Sequence, residues 1–356
     1  MPGFVGASCE TRLSFAVQTV AVALDAMATR FEIVLHGENP VALRAAGEEA
    51  LAEIERLEAR LSLFRADSEI ARVNSRAARE AVRVTPEVFA LLQHAQRLTD
   101  ETGGAFDITI APLMRCWGFH HGNGRKPSPE AIAAARACVG MNLVELDPRQ
   151  TTVRFAREGV MLDLGAIGKG YAVEQAAEIL REAGVTSALI HGGTSTACAI
   201  GTPPGAECWK IAIDRPVATE GALLAASPHG PAPASRDPRS LLATVPLKND
   251  ALSVSAVWGK AFAADGRLYG HELDPRTGWP AEAAVLAAVA TSSATESDAL
   301  STALITLGLG GQETISRLRS GLRTLLVAKT AAGLRTVSHG IALNEPRSPA
   351  DPAATG

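Results

Sequence analysis

The apolar positions of this chain change their period along its length, and each change marks an element. Over residues 40–61, Leu43, Ala46, Ala50, Ile54, Leu57 and Leu61 recur at three- and four-residue spacing with Glu and Arg between them, which predicts an amphipathic helix. Ahead of it, Arg30-Phe-Glu-Ile-Val-Leu-His36 is apolar with one polar interruption and reads as a strand. Thr85-Pro86 supplies an N-cap and an N1 proline for a helix ending near Gly103, and Ser128-Pro129 opens a shorter helix in the same way. Short strands are predicted at 151–156, 160–164, 187–191, 209–213, 243–247 and 251–255. A strand at 285–290 then precedes a helix from Thr295 to about Leu307, and strands at 323–329 and 334–338 follow. Strands and helices mix without strict alternation, so the pattern predicts an α+β fold rather than a doubly wound sheet.

Pro, Ala and Ser dominate residues 217–242, including Ser227-Pro-His-Gly-Pro-Ala-Pro-Ala-Ser235, which predicts an exposed insertion. Residues 1–24 read as an N-terminal extension, 25–340 as the main domain and 341–356 as a disordered tail. At 356 residues, 47% apolar and 20% charged, the chain has ample material for a core in one large unit or two intimately joined ones. A net charge of −4 with no Lys/Arg-rich block argues against a nucleic-acid partner. The five cysteines, Cys9, Cys116, Cys138, Cys198 and Cys208, form no CxxC pair, which suits free thiols in a reducing compartment. No secretory signature precedes Cys9 and no apolar run approaches the roughly 20 residues of a membrane span. A cytoplasmic location is expected, with a periplasmic or membrane-associated one only if the true N-terminus differs.

Three segments carry more chemistry than local structure requires. In Val160-Met-Leu-Asp-Leu-Gly-Ala-Ile-Gly-Lys-Gly-Tyr-Ala-Val-Glu174, a short apolar run delivers Asp163 into a glycine-rich turn. Lys169 then stands at the start of a helix running to about Ala183. Such a turn can bring backbone N–H groups, a helix N-terminus and a cation to phosphate. It is not a P-loop: Asp163 stands where that motif needs its first glycine, and Gly170 follows the lysine in place of Ser or Thr. In the helix Glu296–Leu307, Asp298 and Thr302 lie four residues apart on one stripe. They read either as a dipole partner and a back-bonded hydroxyl or as hard oxygen ligands for Mg²⁺. Tyr269-Gly-His-Glu-Leu-Asp-Pro-Arg-Thr-Gly-Trp-Pro280 sets His271 just before a turn sequence that also holds Asp274, Arg276 and Thr277. Thr102-Gly-Gly-Ala-Phe-Asp-Ile-Thr109 is a fourth, weaker cluster: its glycines permit close backbone approach, and Phe106 could pack on a flat ring or in a core.

Taken together and in order, these segments resemble the ApbE family of FAD:protein FMN transferases, from about residue 25 to 310. Ala26-Met27-Ala28-Thr29 resembles the family's early Met-Gly-Thr, and Leu61–Asn74 is similar to its flavin-contacting segment. Gly104–Asp107, the Asp163–Tyr171 turn, His271–Gly278 and Asp298–Thr302 match its other signatures. The resemblance implies an ApbE-like (T-fold-like) α+β fold of mixed sheets with packed helices, and an FAD site between two intimately joined halves. It implies that Met27, Phe64, Ala105, Phe106, Asp107, Asp163, Lys169 and Leu273 line the FAD site. Mg²⁺ would be held by Asp298, Thr302 and the main-chain oxygen of Ala166, and His271 would matter for turnover. The implied reaction is Mg²⁺-dependent transfer of FMN from FAD to a Thr or Ser hydroxyl of an acceptor protein, releasing AMP. The acceptor would be a flavoprotein with an Asp-x-x-Ser/Thr-Gly-Ala-Ser/Thr type motif, which this chain lacks. The alternatives are an FAD pyrophosphatase giving free FMN and AMP, and a flavin-binding protein without turnover. Three positions depart from the family pattern: Phe64 stands where tyrosine is common, Ser301 where Asp or Ala is, and His191-Gly-Gly-Thr-Ser-Thr196 replaces a usual Gly-Gly-Asp/Asn.

Overall fold

A computed structural model describes residues 16–122, 124–216, 241–257 and 261–344. Its first half runs β1 (Gln18–Ala26), β2 (Thr29–Gly37), α1 (Pro40–Leu61), α2 (Glu69–Arg76), β3 (Val82–Arg83), α3 (Pro86–Glu101), α4 (Ala111–Cys116), α5 (Pro129–Arg136), β4 (Val144–Asp147), β5 (Thr152–Phe155) and α6 (Gly168–Glu182). There follow β6 (Ala188–Gly192), β7 (Thr196–Ile200), β8 (Trp209–Asp214), β9 (Leu241–Leu247), β10 (Ala251–Ala256), β11 (Ala261–Ala264), β12 (Arg267–Gly270), β13 (Ala284–Thr291), α7 (Ala294–Leu307), α8 (Gln312–Ser316), β14 (Arg323–Thr330) and β15 (Gly333–His339).

Eight strands form one sheet in the order β1-β2-β6-β7-β10-β13-β14-β15. Its ladders are all antiparallel. Helices α1, α6 and α7 lie side by side on the sheet, α1 against β1 and β2, α6 against β6 and β7, and α7 against β7, β10 and β13. The central strand β13 is buried at all eight positions, which is why its sequence is an unbroken apolar run rather than an alternation. The fold is therefore α+β, as the mixed pattern predicts. A second apolar cluster, with Leu113, Trp117, Phe119, Ile132, Tyr269 and Leu273, packs the segment after α4 against the β11–β12 hairpin. Trp117 Nε1 satisfies its one donor on the Gly278 carbonyl at 2.9 Å.

The predicted helix starts hold, with one change of mechanism. Asn39 caps α1 by accepting from the Val41 and Ala42 N–H groups, and Ser128 caps α5 through Ala131 N–H. Thr85 makes no such cap for α3; its N–H and hydroxyl both donate to the Glu69 carboxylate.

Two readings differ from the structure. Residues 160–164 are not a strand: Leu162 exchanges hydrogen bonds of 2.7 and 2.9 Å with the Asn74 side-chain amide, and Asp163 N–H donates to the Ile108 carbonyl at 2.7 Å. An amide side chain and one loop carbonyl replace the ladder that the apolar pattern suggested. Residues 18–24, read as part of an extension, belong to β1, which pairs with β2 from Gln18↔Gly37 to Ala26↔Thr29. Val20, Val22, Leu24 and Ala26 point inward there, but Ala21 and Ala23 on the outer face hide the alternation. The 217–242 insertion falls almost wholly outside the described residues, as does the tail from 345. Residues 341–344 are held by the sheet side, with Leu343 bridging Ala243 and Asn344 N–H donating to Leu242. No helix among the described residues is long and apolar enough to cross a membrane.

Candidate functional site

The glycine-rich turn and the acidic stripe of α7 meet where α6 crosses α7. Gly170 has no room for a side chain: a Cβ there would sit 2.3 Å from the Ala294 carbonyl oxygen and 2.7 Å from Asp298 Cβ. That close approach lets Gly170 N–H donate to Asp298 Oδ2 at 2.9 Å. Gly170 is the third residue of α6, so its N–H is one of the donors that a helix N-terminus leaves unpaired, and the Asp298 carboxylate satisfies it. The helical ladder itself starts with Tyr171 N–H donating to the Ile167 carbonyl at 2.9 Å. Glu174 fastens the same crossing by accepting from Ser293 Oγ and Thr295 N–H, both at 2.7 Å.

Around Asp298, which is only 4% exposed, lies a buried set of hydroxyls. Thr196 Oγ1 stands 3.5 Å from Asp298 Oδ1, Ser253 Oγ donates to Thr196 Oγ1 at 3.2 Å, and Ser253 and Ser297 hydroxyls are 2.8 Å apart. Ser255 links Ser301 at 2.8 Å and Thr302 at 3.3 Å. Asp298 and Thr302 therefore share one face, as their spacing predicts, and both touch this set. Ser253, Ser255 and Ser297 escaped the sequence reading, as did β7, the strand that carries Thr196. Their signal is an alternation of hydroxyls in Leu252-Ser-Val-Ser255 facing a Ser/Asp stripe, which means little until the strand and helix are known to pack.

Asp163 lies on the other side of the turn, with each carboxylate oxygen engaged. Oδ1 accepts Gly165 N–H at 2.8 Å, and Oδ2 lies 2.9 Å from His120 Nε2. An ionised carboxylate only accepts, so that nitrogen carries the proton. Lys169 Nζ folds back onto the Gly165 carbonyl at 3.2 Å, which keeps its charge over the turn. Phe64 is 71% exposed and meets His120 edge-on, with centroids 5.6 Å apart at 85°.

The 102–109 loop joins this region through the Ile108 carbonyl that receives Asp163 N–H. Asp107 organises that loop: its carboxylate accepts from Thr109 N–H, Thr109 Oγ1 and Met141 N–H. Burial pushes its carboxyl above the usual range, and the Thr109 and Met141 donors oppose that shift. Ala105 and Phe106 are each 1% exposed, so the Phe106 ring is a core ring that fixes the loop. Met27 is partly buried in the two-residue turn between β1 and β2, its N–H held by Glu58 Oε1 at 2.7 Å. Leu273 is buried in the second cluster and bridges Pro280. His271 packs edge-on against Phe119, with Nε2 3.4 Å from Glu272 Oε1. Its Nδ1 is buried without a hydrogen-bond partner among the described residues. The Asp274–Arg276 pair that follows is bidentate and closes its own turn.

The architecture is that of the flavin-transferase fold. The structure superposes on the ApbE protein of Thermotoga maritima with a TM-score of 0.75 at 28% identity, over 90% of this chain and 96% of that one. It superposes on the apo flavinyl transferase ApbE of Pseudomonas stutzeri with a TM-score of 0.76 at 29% identity, over 91% and 95%. In sequence it is 28% identical over 298 residues to the FAD:protein FMN transferase of Haemophilus influenzae, covering 82% of this chain and 80% of that protein. A Klebsiella pneumoniae FAD:protein FMN transferase is 29% identical over 308 residues, covering 84% and 89%. The ApbE family profile matches residues 27–326, and the chain belongs to that family.

Proposed function

We propose that this chain is an FAD:protein FMN transferase that moves FMN from FAD to a Thr or Ser hydroxyl of an acceptor protein and releases AMP. The observation that carries this reading is the crossing of α6 and α7, where Asp298 takes the Gly170 N–H and brings the acidic stripe of α7 against the glycine-rich turn. One carboxylate, the Thr302 hydroxyl and the Ala166 carbonyl of that turn would form a hard, oxygen-only donor set. No group of three His, Cys, Asp or Glu side chains suited to a metal occurs among the described residues. Such a set fits Mg²⁺, which takes one or two protein carboxylates and completes its shell with water and substrate phosphate oxygens. Bound there by Asp298, Thr302 and Ala166, Mg²⁺ would offset the negative charge of a pyrophosphate.

The chain's own residues supply the rest. Lys169 adds positive charge at the turn, beside the positive end of the α6 dipole. Phe64 offers an exposed aromatic face to a flat ring, beside His120. The acceptor's hydroxyl oxygen bonds to the FMN-side phosphorus, the P–O bond to AMP breaks, and AMP leaves with the electron pair. His271 takes the hydroxyl proton: its Nδ1 has no hydrogen-bond partner among the described residues, and histidine is the side chain most often used as a general base. The test is to incubate the protein with FAD, Mg²⁺ and an acceptor carrying an Asp-x-x-Ser/Thr-Gly-Ala-Ser/Thr segment, then run a denaturing gel. Flavin fluorescence on the acceptor band is expected; fluorescence found only as free FMN means hydrolysis.

A further inference from the structure

The step Phe119-His120 joins two parts of the site that the sequence keeps 108 residues apart, Asp163 and His271. The Phe119 ring packs edge-on against His271, with centroids 6.4 Å apart, and the His120 side chain, 6% exposed, turns the other way to Asp163. Two donors on Asp163 act on different oxygens, Gly165 N–H on Oδ1 and His120 Nε2–H on Oδ2. Between them they fix the rotation of the carboxylate as well as its place. The same imidazole supports Phe64, whose ring is otherwise turned to solvent. A ring left that exposed stays in one orientation only if something braces it.

We propose that His120 is a positioning residue for FAD, holding the Asp163 carboxylate and the Phe64 ring in the one arrangement that receives the dinucleotide. The inference rests on the transferase reading and adds to it a residue that touches no reacting atom. A preset carboxylate and ring spare the ligand the cost of ordering them, so the effect falls on affinity more than on the chemical step.

The test is FAD titration and steady-state transfer with the full chain and Mg²⁺, comparing wild type with His120→Ala and His120→Gln. His120→Ala should raise the Kd for FAD about tenfold or more, the scale of a lost hydrogen bond to a charged group, with KM rising by more than kcat falls. His120→Gln keeps an N–H donor at the same reach and should stay within about threefold of wild type. In an Asp163→Ala background, which leaves His120 no carboxylate to hold, His120→Ala should change Kd by clearly less than in wild type, since residues in contact do not act independently. Wild-type affinity in His120→Ala, equal impairment in His120→Gln, or full additivity with Asp163→Ala would overturn the proposal. If His120→Ala does not fold, His120→Glu against His120→Gln decides: a second carboxylate facing Asp163 must weaken FAD binding where glutamine does not, and equal affinities overturn the inference. A wild-type protein that transfers no FMN refutes the transferase reading itself, and that result is read before any variant is compared.

Discussion

Gly170 and Asp298 depend on each other. The glycine lets two helices approach until a backbone N–H reaches a carboxylate, and the carboxylate satisfies a first-turn donor that the helix itself leaves unpaired. Gly170→Ala forces a methyl group into the Ala294 carbonyl, so we expect a loss of about 1–3 kcal/mol, read as a lower Tm, together with loss of transfer. Asp298→Asn separates structure from function at the same place. It keeps an oxygen for Gly170 N–H but removes the charge, so Tm should change little while Mg²⁺-dependent transfer falls at least about a hundredfold. Full transfer by this variant, or by wild type in excess EDTA, would remove the metal assignment. His271→Ala should leave the Kd for FAD within about threefold and lower transfer about a hundredfold or more; unchanged transfer would take His271 out of the mechanism. Most of the side chains on this face were legible in sequence because they sit in dense clusters. His120 was not: beside a Trp-Gly-Phe core motif, a lone histidine carries no signal until the fold brings it to Asp163. Phe106 and Asp107 were legible as residues, but the fold gives the first a core position and engages the second's carboxylate with Thr109 and the Met141 N–H.

At the scale of elements, α7 is fastened at its N-terminal end by charge. Glu296 lies against His94 of α3 and takes bonds from Arg319, which also reaches Glu101. The bond from His94, and then Arg319, hold the Glu296 carboxyl down to about 2, against burial that pushes it up. A carboxyl whose folded pKa lies below its unfolded value stabilises the fold fully above the unfolded value, and that stability fades as pH falls through the folded one. Tm measured against pH should therefore show Glu296→Gln well below wild type at neutral pH, with the gap closing between pH 4.5 and about 2. A gap constant over that range would show that the charge contributes nothing. The β1–β2 turn holds strain of a different kind. Met27 and Ala28 both have positive φ, 50° and 57°, in a two-residue hairpin turn that normally takes Asn or Gly. Ala28→Gly should raise stability by up to about 1 kcal/mol, measured by chemical denaturation, because only the glycine adopts that backbone without a Cβ penalty. The same chemistry explains why the turn was hard to see in sequence, since Met-Ala carries no turn signature.

Across the whole molecule, the central helices and most strands were legible because their apolar periods are strong and their caps conventional. What escaped was set by pairing: β7 and β1 are short on contrast, and Leu162 takes a side-chain amide for its partner. The proposed site draws on residues from Met27 to Thr302, so FAD should bind the folded chain alone and raise its Tm, by the equivalent of about 2.7 kcal/mol at a hundred times Kd. The central claim is that an acceptor hydroxyl, not water, receives the phosphoryl group. The most direct measurement is the amount of AMP released against the FMN that stays covalently on the acceptor, followed through one reaction with FAD and Mg²⁺. Transfer predicts the two in equimolar amounts, and neither in Asp298→Asn. AMP accompanied by free FMN, with the acceptor unlabelled, would contradict it.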